Sequence, residues 1–293
     1  MVRDSAYLGN RKSTVLGRKL GGELLAMREA SGLTQGQAAE VLSASTAKVA
    51  NMERGWVPMR DPDIRALCEL YGIKDQGVID RLLTLAKTDR ECRKAKGWWN
   101  KYPEIKSMAE YIAMEDVATS IRTWQISFIP GLFQTASYTR ALAVRGSDWE
   151  DPDEIEPWVE TKLSRQKRLY GEAPLKVWAV IYEAALRQLV GGPDVMRGQL
   201  DHLLQLSELP NVRMQVLPFE AGAHPGMTNA FSIVSFSEPG ALDVVYMDHS
   251  AGSVWLENES GAAAHSEIFD RTARLSLSQH DSNVLIESIM KGM

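Results

Sequence analysis

The sequence contains only two cysteines, and neither belongs to a disulfide or metal-binding pattern. Cys68 and Cys92 stand 24 positions apart, with no Cys-x-x-Cys pair among the 293 residues, which is typical of a protein in a reducing cytosol. No apolar run approaches the roughly 18 residues that a membrane span requires. The first residues also lack the apolar core of a signal peptide. We therefore expect a cytoplasmic protein with no membrane partner.

Motifs for catalysis and metal binding are missing as well. The five histidines show neither a His-Glu-x-x-His motif nor clustered spacing, and no Gly-x-Ser-x-Gly elbow or Walker-type phosphate loop occurs. Glu183, Asp248 and His249 could form an acid–base group, but only their order in the sequence suggests it, and such chemistry needs a defined geometry. The sequence therefore predicts no enzyme, no catalytic residue, no metal and no cofactor.

The net charge of −5 conceals two parts of opposite sign. Residues 1–105 contain 18 Lys and Arg against 13 Asp and Glu, a net charge of +5, whereas residues 106–293 contain 15 against 25, a net charge of −10. A basic module attached to an acidic body favours nucleic-acid binding by one end of the chain.

Apolar residues in the basic part recur at helical spacing. Gly32 ends a first helix, Thr34 is a good cap for a second, and Ser43 or Ser45 can cap a third. The residues expected to face the core of these helices are Leu16, Leu20, Leu24, Met27, Ala38, Ala39, Leu42, Val49 and Met52. Two short helices joined by a tight turn are typical of a helix-turn-helix, which places a helix in the DNA major groove.

Two further helices complete this module. Asp61-Pro62 begins a fourth helix and Asp75 a fifth. Together the five helices predict a compact all-α bundle over residues 15–88.

Two stretches of the bundle resemble the phage-repressor (XRE/Cro) helix-turn-helix family. They are Arg28–Gln35, with the sequence Arg-Glu-Ala-Ser-Gly-Leu-Thr-Gln, and Met52–Gly55, with the sequence Met-Glu-Arg-Gly. The resemblance implies that Arg28 and Glu53 form a structural ion pair between the first helix and the end of the recognition helix. It also implies that Gln35 contacts a phosphate and braces the recognition helix.

The third helix is predicted to contact DNA bases through its outward side chains, which are Thr46, Ala47, Lys48 and Asn51. Asparagine can pair with the edge of adenine and lysine with guanine, although each side chain also suits a plain exposed helix. Other polar residues are expected to contact phosphates without sequence preference. Besides Gln35, these are Arg18, Lys19, Arg54 and Arg60, together with Arg11 and Lys12 near the N-terminus.

Two segments flank the bundle. Residues 1–14 are predicted to form an N-terminal arm that is disordered in the free protein, with insertion into a minor groove as the alternative. Residues 89–105 are predicted to form a helical connector. Its adjacent Trp98 and Trp99 are expected to anchor in the next domain, because neighbouring tryptophans are rarely exposed.

Residues 106–293 alternate between helical and strand patterns and predict a mixed α+β domain. The whole chain is thus expected to be α+β, with the five-helix bundle first. An amphipathic helix is expected over Ser107–Arg122 and a strand over Trp124–Ile129. Further strands are expected at 177–182, 213–217, 231–236, 244–247 and 253–256. Further helices are expected at 134–144, 157–169, 183–190, 195–206, 262–277 and 282–290.

This second part resembles the domain of unknown function that accompanies the same helix-turn-helix in actinobacterial regulators of the WhiJ type. The motifs that carry the resemblance are Ile129–Thr135 with Tyr138, Glu183–Leu186, and Val216–Phe219 with His224–Gly226. The resemblance implies a role in transcription regulation, with a small partner protein encoded nearby.

Two roles remain open for the α+β domain. In the first, it is a platform for homodimerisation and partner binding, through the segment 130–135 or the loop 219–229. The candidate contact residues for a partner or ligand are Pro130, Gly131, Phe133, Gln134, Glu183 and His224. Alternatively it binds a small ligand in a cavity lined by aromatic side chains, unless these form the core. The aromatic side chains in question are Trp124, Phe128, Trp178, Phe219, Phe231 and Trp255.

The sequence as a whole predicts a sequence-specific DNA-binding transcriptional regulator that acts on double-stranded DNA. A homodimer is expected because one helix-turn-helix gives limited specificity, whereas two span half-sites about one helical turn apart. The alternative is a toxin–antitoxin-like interaction protein, in which the α+β domain binds a small partner protein and DNA binding serves autoregulation.

Overall fold

The computed structural model describes residues 14–94, 108–146, 153, 155–236, 243–249, 252–256 and 258–293. The chain divides into two compact units, an N-terminal unit and a larger C-terminal unit. The predicted arm before Thr14, with Arg11 and Lys12, lies outside the described residues. The part of the predicted connector that contains Trp98 and Trp99 lies outside them too.

The N-terminal unit is the predicted bundle of five helices. They are α1 (Val15–Ala30), α2 (Gln35–Val41), α3 (Thr46–Glu53), α4 (Asp61–Leu70) and α5 (Gln76–Lys94). The core of this unit includes Leu16, Leu20, Val49 and Met52, which are all buried. The expected all-α bundle is therefore confirmed.

Helix α5 runs further than the sequence pattern suggested. It passes residue 88, where the predicted DNA-binding domain ends, and continues to Lys94. Asp89 and Cys92 on this last part are buried. The beginning of the predicted connector is thus a structural part of the helical bundle.

The C-terminal unit combines helices with one sheet, which confirms the α+β class. Its strands are β1 (Ser120–Gln125), β2 (Lys176–Tyr182), β3 (Val212–Leu217), β4 (Phe231–Ser235), β5 (Val244–His249) and β6 (Gly252–Leu256). Its helices are α6 (Ala109–Val117), α7 (Ala136–Gly146), α8 (Ile155–Arg165), α9 (Glu183–Arg187), α10 (Pro193–Ser207), α11 (Glu259–Leu275) and α12 (Gln279–Lys291). Short 3-10 turns occur at Gly131–Phe133, Gln166–Leu169, Phe219–Ala221 and Pro225–Met227.

The sheet has six strands in the order β3-β2-β1-β4-β5-β6. Strands β1, β2 and β3 are parallel, whereas β4, β5 and β6 are added in antiparallel pairs. The amino ends of the three parallel strands therefore meet at one edge of the sheet, and their carboxyl ends meet at the other.

Both faces of the sheet are covered. One face packs against α6, α7, α10 and α12, through residues such as Tyr138, Leu200 and Ile286. The opposite face packs against α11, where Phe269 contacts a cluster that includes Trp124. The parallel strands thus lie between helices, as such strands commonly do.

The predicted boundary between the first helix and the first strand of this unit is wrong. Helix α6 ends at Val117, not at Arg122, and β1 begins at Ser120 and ends at Gln125. β1 is a central strand, paired with β2 on one side and β4 on the other. Because such a strand is buried on both faces, its apolar residues lack the alternation that identifies a half-buried strand.

Candidate nucleic-acid interface

Local hydrogen bonds define the turn between α2 and α3. The Thr34 side chain caps α2, in a capping box with Gln37, and the Ser45 side chain caps α3 by accepting from the Lys48 backbone. Between the helices, Ser43 adopts a left-handed φ of 48°, a conformation that residues other than glycine rarely take. These bonds fix where α3 starts and the direction in which it leaves the turn.

Helix α3 has one buried and one outward side. Val49 and Met52 are buried in the bundle. The four residues predicted to contact bases lie away from that side: Thr46 and Ala47 are exposed, and Lys48 and Asn51 are half-buried. The structure therefore brings the predicted base-contacting residues together on α3.

A buried ion pair holds the carboxyl end of α3. Arg28 Nε donates to Glu53 Oε1 at 2.6 Å and Arg28 Nη2 donates to Glu53 Oε2 at 3.2 Å. The two side chains are 9% and 6% exposed. The hydrogen bonds to Glu53 raise the pKa of Arg28 above its ordinary value. The pair joins α1 to α3, with the geometry that the resemblance implies for Arg28 and Glu53.

Two further contacts extend this pair to α2. Gln35 Nε2 donates to Glu53 Oε2 at 2.7 Å, and Arg28 Nη1 donates to the Leu33 carbonyl oxygen at 2.7 Å. Gln35 is half-buried at the start of α2. Its amide thus braces α3 through Glu53.

The approach of α1 to α3 depends on glycine. A Cβ atom on Gly21 would lie 2.5 Å from the Met52 carbonyl oxygen and would also collide with that of Glu53. Gly55, just beyond α3, has a φ of 71° and touches the Arg18 backbone. Because no side chain separates these backbones, α3 is seated directly on α1.

Helix α5 supplies a contact that sequence reasoning missed. Arg93 Nη2 donates to the Gly55 carbonyl oxygen at 2.6 Å and to Thr14 Oγ1 at 2.9 Å, and Arg93 Nε donates to buried Asp89 at 2.8 Å. Arg93, near the end of α5, thus links Gly55, just after α3, to Thr14, just before α1. In the sequence, Arg93 lies in the segment predicted to be a helical connector, and no motif identifies it.

The residues predicted to contact phosphates differ in their surroundings. Arg54 is exposed, with its guanidinium 5.4 Å from the Trp56 ring centroid. Arg60 is also exposed but donates twice to Asp63, at 3.1 and 2.9 Å. This hydrogen bonding lowers the pKa of Asp63 and raises that of Arg60. A phosphate would therefore compete with Asp63 for the Arg60 guanidinium.

Arg18 and Lys19 are neighbours on α1 with different exposure. Arg18 is half-buried. Lys19 is only 6% exposed and its ammonium group is buried. The prediction that Lys19 contacts a phosphate is wrong, because α1 directs this side chain into the bundle.

The predicted contact segment of the C-terminal unit is buried. Pro130, Phe133 and Gln134 all lie in the interior, and Gly131 packs against the Arg165 side chain. Gln134 Nε2 donates to the Ile129 carbonyl oxygen at 2.7 Å, and its Oε1 accepts from Lys162 at 3.2 Å. The prediction that these side chains contact a protein partner is wrong, because the unit's own core occupies them.

Glu183 is likewise engaged inside the unit. It is buried, accepts from Arg187 Nε at 2.6 Å and from the Phe219 backbone N–H at 2.8 Å, and so anchors the loop 219–229. It stands at the end of β2, whereas Asp248 and His249 end β5, with β1 and β4 between those strands. The considered acid–base group is therefore not assembled.

His224 is the one predicted contact residue with a half-buried, unsatisfied side chain. Its ring centroid lies 5.3 Å from Trp124 and 5.6 Å from Tyr182, and burial lowers its pKa. Its Nδ1 has no hydrogen-bond partner within the described ranges. The loop around it is held by Trp124 Nε1, which donates to the Gly226 carbonyl oxygen at 2.7 Å.

The six aromatic residues considered for a ligand cavity do not surround one space. Trp124, Phe231 and Trp178 belong to the sheet face beneath α11, whereas Trp255 packs against the opposite face. Phe128 and Phe219 are exposed. Most of these aromatic side chains are therefore core or surface, and the interpretation of them as a single cavity is wrong.

The described residues contain neither a candidate metal site nor a candidate membrane span. Among them, no group of histidine, cysteine, aspartate or glutamate is arranged to hold a metal ion. No helix in the described part of the chain combines the length and apolarity needed to cross a bilayer.

Comparison with known families agrees with the two-unit structure. Residues 19–82 match a helix-turn-helix domain, which defines the N-terminal unit as a DNA-binding module and indicates a regulator rather than an enzyme. Residues 108–288 match DUF5753, a domain of unknown function. The chain belongs to the DUF5753 family. No curated protein and no solved structure matches it.

Proposed function

We propose that the protein is a sequence-specific transcriptional regulator of the XRE/Cro type, which inserts α3 into the major groove of double-stranded DNA. The observation that carries the proposal is the placement of Thr46, Ala47, Lys48 and Asn51 on the outward side of a helix whose far end is fixed by Glu53. A helix whose far end is fixed, with the polar side chains of Thr46, Lys48 and Asn51 on its outward side, suits direct contact with base edges.

In this proposal the phosphate contacts come from around α3. Gln35, Arg18 and Arg54 are the donors, with Arg60 as a further donor when it leaves Asp63. The basic net charge of residues 1–105 supports this division, because phosphate contacts position a protein on DNA and base contacts give specificity. The DNA-binding domain then spans residues 15–94, with α5 included in full.

The C-terminal unit is assigned to the regulatory part of a WhiJ-type protein. It would hold the homodimer together and bind a small partner protein or ligand, so that binding alters the spacing of the two recognition helices. The loop 219–229 supports a contact role, since Phe219 and Met227 are 46% and 63% exposed and the loop is anchored through Glu183 and Trp124. A dimer mass in light scattering, lost in a Phe219→Ser, Met227→Ser variant, is the expected result.

Fluorescence anisotropy of the full chain tests the DNA-binding proposal. The DNA from upstream of the protein's own coding sequence is compared with a scrambled duplex at two salt concentrations. We expect preference for the native duplex, and a loss of at least roughly 5- to 150-fold in a Lys48→Ala, Asn51→Ala variant, since even one good base contact contributes about 1–3 kcal/mol.

The matched control is Lys291→Ala, which removes an exposed lysine on α12 and should leave the preference unchanged. Equal and steeply salt-dependent binding of both duplexes by the wild-type protein would mean that only phosphates are contacted. Retained preference in the double variant would show that α3 is not the recognition element.

A further inference from the structure

A groove of about 730 Å³ lies at the amino ends of the three parallel strands. Ser120, Lys176 and Val212 begin those strands, and the segment 207–211 with Gln279 forms the opposite wall. Its volume falls within the roughly 300–1,000 Å³ of small-molecule sites in proteins. Of the residues that the sequence singled out for ligand binding, the groove contains Trp178.

The strand register places three functional side chains side by side in the groove. Arg122 on β1 is paired with Trp178 on β2, and Trp178 with Arg213 on β3. Because side chains alternate between the faces of a strand, all three lie on the face that α11 covers. Phe269 of α11 meets the Trp178 ring edge-on, at 5.1 Å between centroids, and so holds the indole in place.

Arg213 is stacked on this indole. Its guanidinium carbon lies 3.9 Å from the Trp178 ring centroid, and Trp178 Nε1 donates to Gln215 Oε1 at 2.9 Å. Arg213 is nevertheless exposed. The guanidinium thus lies over one side of the indole, and because Arg213 is exposed it is accessible to a second ring. Guanidinium groups stack on aromatic faces.

The groove also carries unneutralised positive charge. No carboxylate is paired with Arg213 or Lys176 within the described residues, although Glu208 lines the same groove. Arg122 differs, because its Nη2 donates to Asp243 and to Ser266, each at 2.9 Å. Arg213 and Lys176 are thus available to a ligand, although residues 106–293 have a net charge of −10. These two cations favour an anionic ligand.

We propose that this groove binds a small planar aromatic molecule with a carboxylate or phosphate group. The ring stacks on the open face of Arg213 and the anionic group pairs with Lys176. The proposal names a class of ligand for the sensing role that we propose above for the C-terminal unit. Binding itself does not depend on that role; only its effect on regulation does. Its test measures binding without DNA, so it can fail while DNA recognition stands.

Isothermal titration calorimetry of the full chain is the test, with adenosine monophosphate and salicylate as probes of the two anionic groups. Adenosine and inorganic phosphate are the controls that carry only the ring or only the charge. We expect one or both of the probes to bind and the controls to bind at least about tenfold more weakly, because ring and charge act together. Which probe binds distinguishes a phosphate ligand from a carboxylate ligand.

Variants locate the site. Arg213→Gln should weaken probe binding at least about tenfold and Lys176→Gln severalfold, since each removes a charge-assisted contact. Arg213→Lys keeps the charge but loses the planar stack, so it should also weaken binding. Arg271→Gln removes an exposed charge from α11 outside the groove and should have no effect.

Three results would overturn the proposal. The first is that neither probe binds at concentrations up to about 5 mM, a range that detects even millimolar affinity. The second is equal weakening by Arg213→Gln and Arg271→Gln, which would indicate nonspecific attraction. The third is undiminished probe binding in Arg213→Lys, which would show that stacking on the guanidinium does not contribute to binding.

Discussion

In the described part of each unit, a bidentate pair of arginine and glutamate is buried. In the N-terminal unit Arg28 pairs with Glu53 at 2.6 Å, and in the C-terminal unit Arg165 pairs with Glu115 at 2.7 Å. Their surroundings differ. Glu53 also accepts from Gln35 and lies on α3, whereas the second pair is only 4% and 1% exposed and has the Tyr111 ring 5.4 Å from its guanidinium.

The two buried pairs are therefore expected to have different roles. The N-terminal pair lies directly behind a surface that we assign to DNA, so its loss should alter binding as well as stability. The C-terminal pair joins α6 to α8 inside the unit, so its loss should affect stability alone. Buried pairs of this kind add little over apolar residues but are costly to break.

The largest expected effect comes from breaking the C-terminal pair. Glu115→Ala leaves the Arg165 charge buried without its carboxylate, and we expect the free energy of unfolding of this unit to fall by about 3–5 kcal/mol. Urea denaturation of the full chain measures it. Replacing both partners together, as Glu115→Leu with Arg165→Met, should recover most of the loss.

The exposed pair of Arg140 and Glu156 is the matched control. It has equally close bidentate geometry, at 2.5 and 2.8 Å, but its side chains are largely exposed to solvent. Arg140→Gln should therefore cost less than about 1 kcal/mol. An equal cost for the two pairs would show that burial does not distinguish them.

The N-terminal pair was predictable and the C-terminal pair was not. Arg28 and Glu53 lie within motifs that are specific for one fold, and the caps at Thr34 and Ser45 are local in sequence. Glu115 and Arg165 are joined only by the tertiary fold. The motif around Pro130 predicts a contact surface but is buried, because a sequence pattern does not distinguish a side chain buried by tertiary packing from an exposed one.

The two units also differ in how their helices pack. The N-terminal unit seats α3 on α1 by backbone contact at Gly21. Gly21→Ala inserts a methyl group against the carbonyl oxygens of Met52 and Glu53, and we expect a loss of about 1–3 kcal/mol in the free energy of unfolding. Weaker DNA binding should accompany it, because α3 must shift.

Gly22 provides the control from the next position of the same helix. A Cβ atom there meets nothing within 4 Å, so Gly22→Ala should stabilise the unit by about 0.5–1 kcal/mol through helix propensity. Thermal unfolding of both variants measures the difference. Equal effects of the two substitutions would contradict the close approach of α1 and α3.

In the C-terminal unit, by contrast, the charged side chain of Lys162 on α8 is half-buried. Its ammonium lies 4.2 Å from the Trp158 ring centroid and 3.2 Å from Gln134 Oε1. Burial lowers the pKa of Lys162 from 10.5 to about 7, with repulsion by Arg165 adding to the effect and attraction by Asp248 opposing it. At neutral pH this lysine is therefore partly deprotonated in the folded chain.

The smallest expected effect is the pH dependence that Lys162 introduces. Between pH 7 and 9 the unfolded chain keeps this proton while the folded chain has largely lost it, so the free energy of unfolding should rise with pH. One proton gives a slope of at most about 1.4 kcal/mol per pH unit, and we expect less because the side chain is half-buried. Urea denaturation at pH 7, 8 and 9 measures the slope. Lys162→Met should remove the slope. Lys167→Met, at an exposed lysine on the following turn, should leave it intact. A slope that survives in Lys162→Met would mean that another group binds the proton.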